Sequence, residues 1–178
     1  MATAENAVSG SRGVGILTIS DTRSQGVRVD TTTAVIRCLV EGAGFVVEHT
    51  ALAPDEQAAI QEHLIDMADR LKVPLILTTG GTGFGTRDVT PEATRAVIER
   101  EVPGLPEAMR ASTAKENPLA WLSRGIAGLR GRTLIVNLPG SPQAVEECLR
   151  ALLPLLPHAL EMIEGKPHGT NAPVVAGS

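Results

Sequence analysis

Four short stretches of this chain place glycine, hydroxyl and carboxylate groups at the ends of apolar runs: Ser20-Asp21, Pro54-Asp55, Thr79 through Asp88, and Asn137 through Pro142. The third reads Thr78-Thr79-Gly80-Gly81-Thr82-Gly83-Phe84-Gly85-Thr86-Arg87-Asp88. Glycine there lets the backbone approach a ligand and turn several N–H groups toward one anion, so a phosphate is the natural guest. A plain tight turn is the alternative, and the neighbouring Arg87 and Asp88 favour phosphate. The stretch is neither a Walker A loop nor a dinucleotide fingerprint.

Leu138-Pro139-Gly140-Ser141-Pro142 is a second candidate anion site, with Ser141 at a helix cap, or else simple helix initiation. Asp21, Asp55 and Asp88 are the carboxylates such loops would place around a polyphosphate, where they would hold magnesium. Asp55 also reads as a helix cap. Thr90 is expected to cap the helix after Asp88, which leaves the Asp88 carboxylate with no structural task.

Other chemistries have little support. His49, His63, His158 and His168 lack metal-ligand spacing, and no GxSxG elbow or activated nucleophile is present. With a formal charge of −4 and only Phe45, Phe84 and Trp121 to stack on bases, nucleic acid is not an expected partner. The 13 Arg against three Lys suit bidentate phosphate contacts. Cys38 and Cys148 read as buried thiols in a reducing compartment, and Met1 to Arg12 carries no apolar run. No stretch approaches 18 uninterrupted apolar residues, so no membrane association and a cytoplasmic location are expected.

The elements that must position these groups alternate. Val14–Ile19 is a short β-branched run suited to a strand covered on both faces. Asp30 can cap a helix with Ala34, Val35, Cys38 and Leu39 facing inward, closed by Gly42 and Gly44, before a strand from Phe45 to Leu52. Ala59, Ile60, His63, Leu64, Met67, Ala68 and Leu71 recur at helical spacing, and a third strand covers Pro74 to Thr78. This alternation predicts parallel strands with right-handed crossovers, and a crevice beyond their carboxyl ends.

Helices are expected over 91–100 and 104–113, with Pro91 in the first helical position. A β-hairpin turns at Arg130-Gly131. Pro142 opens a long helix that Pro154 and Pro157 break, and a shorter helix ends near Gly165. The predicted fold is an α/β three-layer sandwich, a mostly parallel sheet flanked by helices plus a small β-hairpin. Its single domain spans 13–167 between disordered tails at 1–12 and 168–178.

From Leu77 through Gly83, and on through Arg87-Asp88-Val89-Thr90-Pro91-Glu92-Ala93-Thr94, the chain resembles the molybdopterin adenylyltransferase family. The resemblance continues through Ile16 to Asp21, Pro54-Asp55-Glu56, Pro103-Gly104, Leu122-Ser123-Arg124-Gly125, Gly131 to Pro142 and Leu156 to Leu160, covering roughly 13 to 167. It implies a molybdopterin-binding-domain fold and attack of molybdopterin's terminal phosphate on the α-phosphorus of MgATP, releasing pyrophosphate. It also implies a homotrimer and hand-over of product to a molybdate-inserting protein. Carried over by position, the essential aspartates are Asp55 and Asp88. The nucleotide loops fall on Ser20, Asp21, Gly80, Gly81, Thr82, Gly83, Pro139, Gly140 and Ser141, and Ser112 aligns with a serine of the pterin pocket. Asn117 departs from the pattern, since relatives commonly carry Thr before Pro118.

Phosphoryl chemistry of this kind needs positioning and charge neutralisation more than a base, so Arg87 is assigned to developing charge. Two alternatives keep the same fold: a non-catalytic molybdopterin-binding or assembly protein of the same superfamily, and a scaffold whose glycine loop only builds a subunit interface.

Overall fold

The computed structural model describes residues 12–21 and 31–165. Strands β1 (Gly13–Ile19), β2 (Val46–Ala53), β3 (Leu75–Thr79), β4 (Arg100–Glu101), β5 (Ala127–Arg130) and β6 (Thr133–Leu138) form one sheet in the order β2-β1-β3-β6-β5-β4. β2, β1, β3 and β6 run parallel, and β5 and β4 add an antiparallel flank. The expected hairpin is therefore part of this sheet, turning through Gly131 at φ 54°.

Alternation along each central strand builds the layers. Val14, Ile16, Leu75, Leu77, Leu134 and Val136 face one side, covered by α1 (Thr31–Gly42), α4 (Gly104–Thr113), α5 (Pro142–Leu152) and α6 (Leu156–Ile163). Leu17, Ile19, Ile76 and Ile135 face the other, under α2 (Gln57–Ile65) and α3 (Thr90–Val97). Each such side chain contributes about 1.5–3 kcal/mol on full burial, so two apolar faces fix both the strand register and the helix phases. The three-layer α/β sandwich read from the sequence is the observed architecture.

Several local expectations are corrected. In α1 the buried stripe is Thr32, Ile36 and Val40; Val35 and Leu39 pack partly, whereas Ala34 and Cys38 are exposed. Two stripes at helical spacing compete there, and the one with larger aliphatic side chains removes more apolar surface from water. Cys38 is thus an exposed thiol, while Cys148 is buried and its thiol is pushed up to about 11 by desolvation. The helix from Thr90 ends at Val97 rather than residue 100, because Arg100 and Glu101 pair with Leu129 and Gly128 as the short strand β4. Tertiary pairing overrides the local helical pattern.

α2 passes into a π-helical turn, Asp66–Arg70. The expected break is present, at 153–155, and Pro157 sits in the first turn of α6, where it starts the second, shorter helix. Arg12, expected in the N-terminal tail, is tied to the domain: its carbonyl accepts from the Val46 amide at 2.9 Å and its guanidinium lies 5.9 Å from the Phe45 ring centre. The Asp30 cap, residues 1–11 and the tail beyond Gly165 lie outside the described residues.

Candidate active site

The chain winds from β1 outward to β2, then back across β1 to β3, so the topological switch point lies between the carboxyl ends of β1 and β3. All four chemistry-bearing stretches converge there. Ser20 and Asp21 follow β1, Asp55 follows β2, the glycine loop follows β3, and Pro139 to Ser141 follow β6.

Asp21 and Asp55 hold each other through backbone amides: the Asp21 N–H donates to Asp55 Oδ2 at 2.8 Å and the Asp55 N–H to Asp21 Oδ1 at 2.9 Å. This reciprocal pair locks the β1 and β2 exits together. Asp21 also receives Arg87 Nη2 at 2.6 Å and Nε at 3.1 Å. The amide of Asp55 and then Arg87 hold the Asp21 carboxyl below the ordinary aspartate value. Asp55 goes the other way: burial raises it, and the Asp21 and Asp88 charges add to that against the Asp21 bond and Arg87.

The glycine loop has its unusual backbone where the sequence places glycine. Gly80 and Gly81 have φ of 99° and 64°. A Cβ on Gly80 would stand 2.3 Å from the Ile19 carbonyl oxygen, and one on Gly81 would stand 2.4 Å from Thr90 Oγ1 and 3.5 Å from Asp55 Oδ1. The turn therefore runs directly beside the Asp55 carboxylate.

Two expectations here are revised. Thr90 lies inside α3, with Val89 at the cap position, and its hydroxyl donates to the Gly80 carbonyl at 2.9 Å instead of capping the helix. Asp88 has a structural task after all, accepting from the Gly85 amide at 2.8 Å. That bond aims Asp88 Oδ2 at the loop, 2.9 Å from where a Gly83 Cβ would stand.

The second anion loop takes the expected form. Ser141 caps α5, its hydroxyl accepting from the Ala144 amide at 3.3 Å, and Pro142 follows in the first turn. Thr79 Oγ1 donates to the Pro139 carbonyl at 2.6 Å, and a Cβ on Gly140 would stand 3.4 Å from Gly80 Cα. The two loops are in contact.

Beside Pro139 opens a cavity of about 180 Å³, lined among others by Met109, Arg110, Thr113, Asn117 and Cys148. Ser112 is exposed on α4; its neighbour Thr113, not Ser112, lines the cavity. Asn117 caps the 3-10 helix Pro118–Leu122, its side chain accepting from the Leu119 amide at 3.1 Å. A Thr hydroxyl can accept at the same kind of position, so the departure from the family pattern keeps its capping function.

Sequence reasoning missed two side chains. Arg124 grips the outside of the glycine loop, with Nε on the Gly83 carbonyl at 2.7 Å, Nη2 on the Asp88 carbonyl at 2.5 Å, and an ion pair to Glu92. Asn137 is buried behind the loop, donating to Thr78 Oγ1 at 3.0 Å and Thr94 Oγ1 at 2.8 Å, and accepting from the Ile126 amide at 3.2 Å. Stranding one such buried polar group costs about 1–3 kcal/mol, so Asn137 fixes the β3 exit against β6 and α3. Both lie in stretches that carry the family resemblance, which was the available signal, but neither was given a role.

Among the described residues no three His, Cys, Asp or Glu side chains form a self-sufficient metal cluster. Two or three carboxylates beside a phosphate loop do fit a magnesium ion that takes its other ligands from a triphosphate and water. Asp55 Oδ1 lies 3.5 Å from where a Gly81 Cβ would stand and Asp88 Oδ2 2.9 Å from where a Gly83 Cβ would stand, so two carboxylates border one glycine turn, which favours a cation there. Among the described residues no helix is long and apolar enough to cross a membrane.

Comparison with known proteins agrees with this geometry. The family described as "Probable molybdopterin binding domain" matches residues 15–158. The molybdopterin adenylyltransferase of Helicobacter pylori strain J99 is 42% identical over 154 residues, covering 85% of this chain and 88% of that one. The molybdenum cofactor synthesis protein cinnamon of Drosophila melanogaster is 46% identical over 151 residues, 84% of this chain but 25% of that longer protein. Among solved structures, the molybdopterin biosynthesis enzyme MoaB of Thermus thermophilus superposes with a TM-score of 0.83 at 54% identity, covering 87% of this chain and 98% of that one.

Proposed function

The chain belongs to the molybdopterin-binding domain family, and from that premise we propose that it is a molybdopterin adenylyltransferase of molybdenum cofactor biosynthesis. An oxygen of molybdopterin's terminal phosphate attacks the α-phosphorus of ATP, the bond from that phosphorus to the β-phosphate bridge breaks, and pyrophosphate leaves. Adenylylated molybdopterin is the product.

The observation that carries this reading is the set of backbone donors at the switch point. Among the described residues the amides of Gly81, Thr82 and Gly83 have no acceptor, and the turn that carries them borders Asp55 at Gly81 and Asp88 at Gly83. Donors grouped on a glycine turn bind phosphate oxygens; carboxylates beside them repel a bare triphosphate and suit one that arrives with its cation.

Asp55 and Asp88 would hold magnesium, which supplies charge neutralisation to the triphosphate and to the leaving pyrophosphate. Ser20 and Asp21 close the β1 side of the nucleotide site, and Pro139, Gly140 and Ser141 the β6 side. Arg87 exchanges its ion pair with Asp21 for phosphate oxygens as charge develops. The attacking phosphate is already an anion, so no general base is needed, and the rate comes from alignment. The cavity beside Pro139 is the seat of the pterin, and Ser112, exposed on α4 next to Thr113, is the serine the family pattern assigns to it.

The working unit is a homotrimer in the cytoplasm, which passes its product to a molybdate-inserting protein. Incubation with MgATP and molybdopterin tests the reading: stoichiometric pyrophosphate and adenylylated pterin are expected. MgATP binding without pyrophosphate would instead assign a non-catalytic pterin-binding or assembly role. No binding of ATP in calorimetry would leave the loop as interface scaffolding.

A further inference from the structure

Resting on the adenylyl-transfer reading, we propose that Arg124 is a positioning residue: its main-chain amide sets the Gly83 amide, and its guanidinium holds the Gly83 and Asp88 carbonyls, fixing the nucleotide-facing segment between them without touching the nucleotide. In a trans peptide the C=O of one residue and the N–H of the next point in opposite directions, so fixing a carbonyl on one side of a loop fixes the following amide on the other.

Each carbonyl of the turn has a donor. Gly80 accepts from Thr90 Oγ1 at 2.9 Å, Gly81 from the Thr90 amide at 3.1 Å, and Thr82 from the Arg124 amide at 2.9 Å. The amides set by those three bonds belong to Gly81, Thr82 and Gly83, the three without an acceptor among the described residues. The Arg124 side chain extends the pattern by holding the Gly83 and Asp88 carbonyls from the same outer side. It thereby sets the ends of the segment that carries Phe84, Arg87 and the Asp88 carboxylate.

Glu92, in the first turn of α3, anchors the guanidinium. Burial opposes ionisation of Glu92, yet its bond from Arg124, its own helix amide, and the Arg124 and Arg95 charges together keep its carboxyl below the ordinary value. The anchor is thus charged at neutral pH. A planar fork serves two carbonyls and a carboxylate at once; the single ammonium of Lys lacks that geometry.

Arg124→Lys and Glu92→Gln test the assignment by two readouts on the full chain. The first is hydrogen exchange of the 80–89 backbone without nucleotide. The second is the split between KM and kcat with MgATP and with molybdopterin. Arg124→Lys is expected to speed exchange in this segment and raise KM for MgATP about tenfold or more, leaving KM for molybdopterin within about twofold. Glu92→Gln, which keeps both carbonyl bonds, is expected to give the same pattern more weakly.

Unchanged exchange and unchanged KM for MgATP in both variants would overturn the proposal. So would an equal rise in both KM values, the mark of general loosening. If the parent protein forms no pyrophosphate while exchange still responds to Arg124→Lys, the transfer reading fails and the loop-positioning assignment stands. If Arg124→Lys does not fold, Glu92→Gln decides alone by the same criteria.

Discussion

The two ends of the sheet treat their carboxylates differently. At the amino end, Asp69 is paired with Arg130 by bonds of 3.0 and 2.6 Å, and Asp66 with Arg70 by bonds of 2.5 and 2.8 Å, one arginine to each acid. At the carboxyl end Asp21, Asp55 and Asp88 are grouped, and Arg87 is bonded to Asp21 alone. Matched pairs are a structural arrangement. A surplus of negative charge beside backbone donors is an arrangement that a bound, cation-carrying anion completes.

The largest expected effect comes from removing charge at the carboxyl end. Asp88→Asn keeps an oxygen for the Gly85 amide, so the loop retains its shape while losing the charge. The adenylylation rate should drop by about 10²–10³-fold, in the range seen when one preorganised electrostatic group is lost. A variant as fast as the parent would remove Asp88 from the mechanism.

Asp55→Asn sharpens the contrast further, because activity and stability should part. The Asp55 carboxyl is raised in the fold, so its protonated form is the one the fold favours. Its stabilising contribution is present below the ordinary aspartate range and is lost as pH rises through the raised native value. At neutral pH the ionised group therefore weighs against the fold. Asp55→Asn should lose activity while its Tm at pH 7 stays equal or rises. kcat/KM for MgATP, which reports the enzyme before nucleotide and cation arrive, should fall on the acid side at a pH above the ordinary aspartate range. A clear drop in Tm would show that Asp55 is there chiefly to hold β1 and β2 together.

The smallest effect belongs to the amino end. Asp69→Asn weakens a partly exposed pair, with Asp69 half exposed to screening solvent, so Tm should fall by about 2–4 °C with the adenylylation rate unchanged. A loss of rate would erase the distinction between the two ends.

Much of the carboxyl end was legible in the sequence because its signals are local. Glycines at positive φ, an Asp just past each of the first two strands, and a Ser-Pro helix start each announce themselves within a few residues. What stayed hidden depends on distance. Arg124 acquires its meaning from carbonyls on a loop far back in the chain, and the two residues of β4 pair only because β5 lies beside them. The buried face of α1 was ambiguous for another reason: two stripes fit the helical period, and only packing against the sheet chooses Ile36 and Val40 over Ala34 and Cys38. Asp88 was misread locally, since its bond to Gly85 belongs to a turn that residue types alone do not specify.

The contact between Gly80 and Gly140, with Thr79 Oγ1 on the Pro139 carbonyl, bears on how this scaffold tolerates redesign. A methyl group at Gly80 runs into the Ile19 carbonyl, and one at Gly140 would come into van der Waals contact with Gly80. Because the two loops touch and share the Thr79–Pro139 bond, a chimera keeps this seam only if both segments come from one parent, so they are best transplanted together as one cassette.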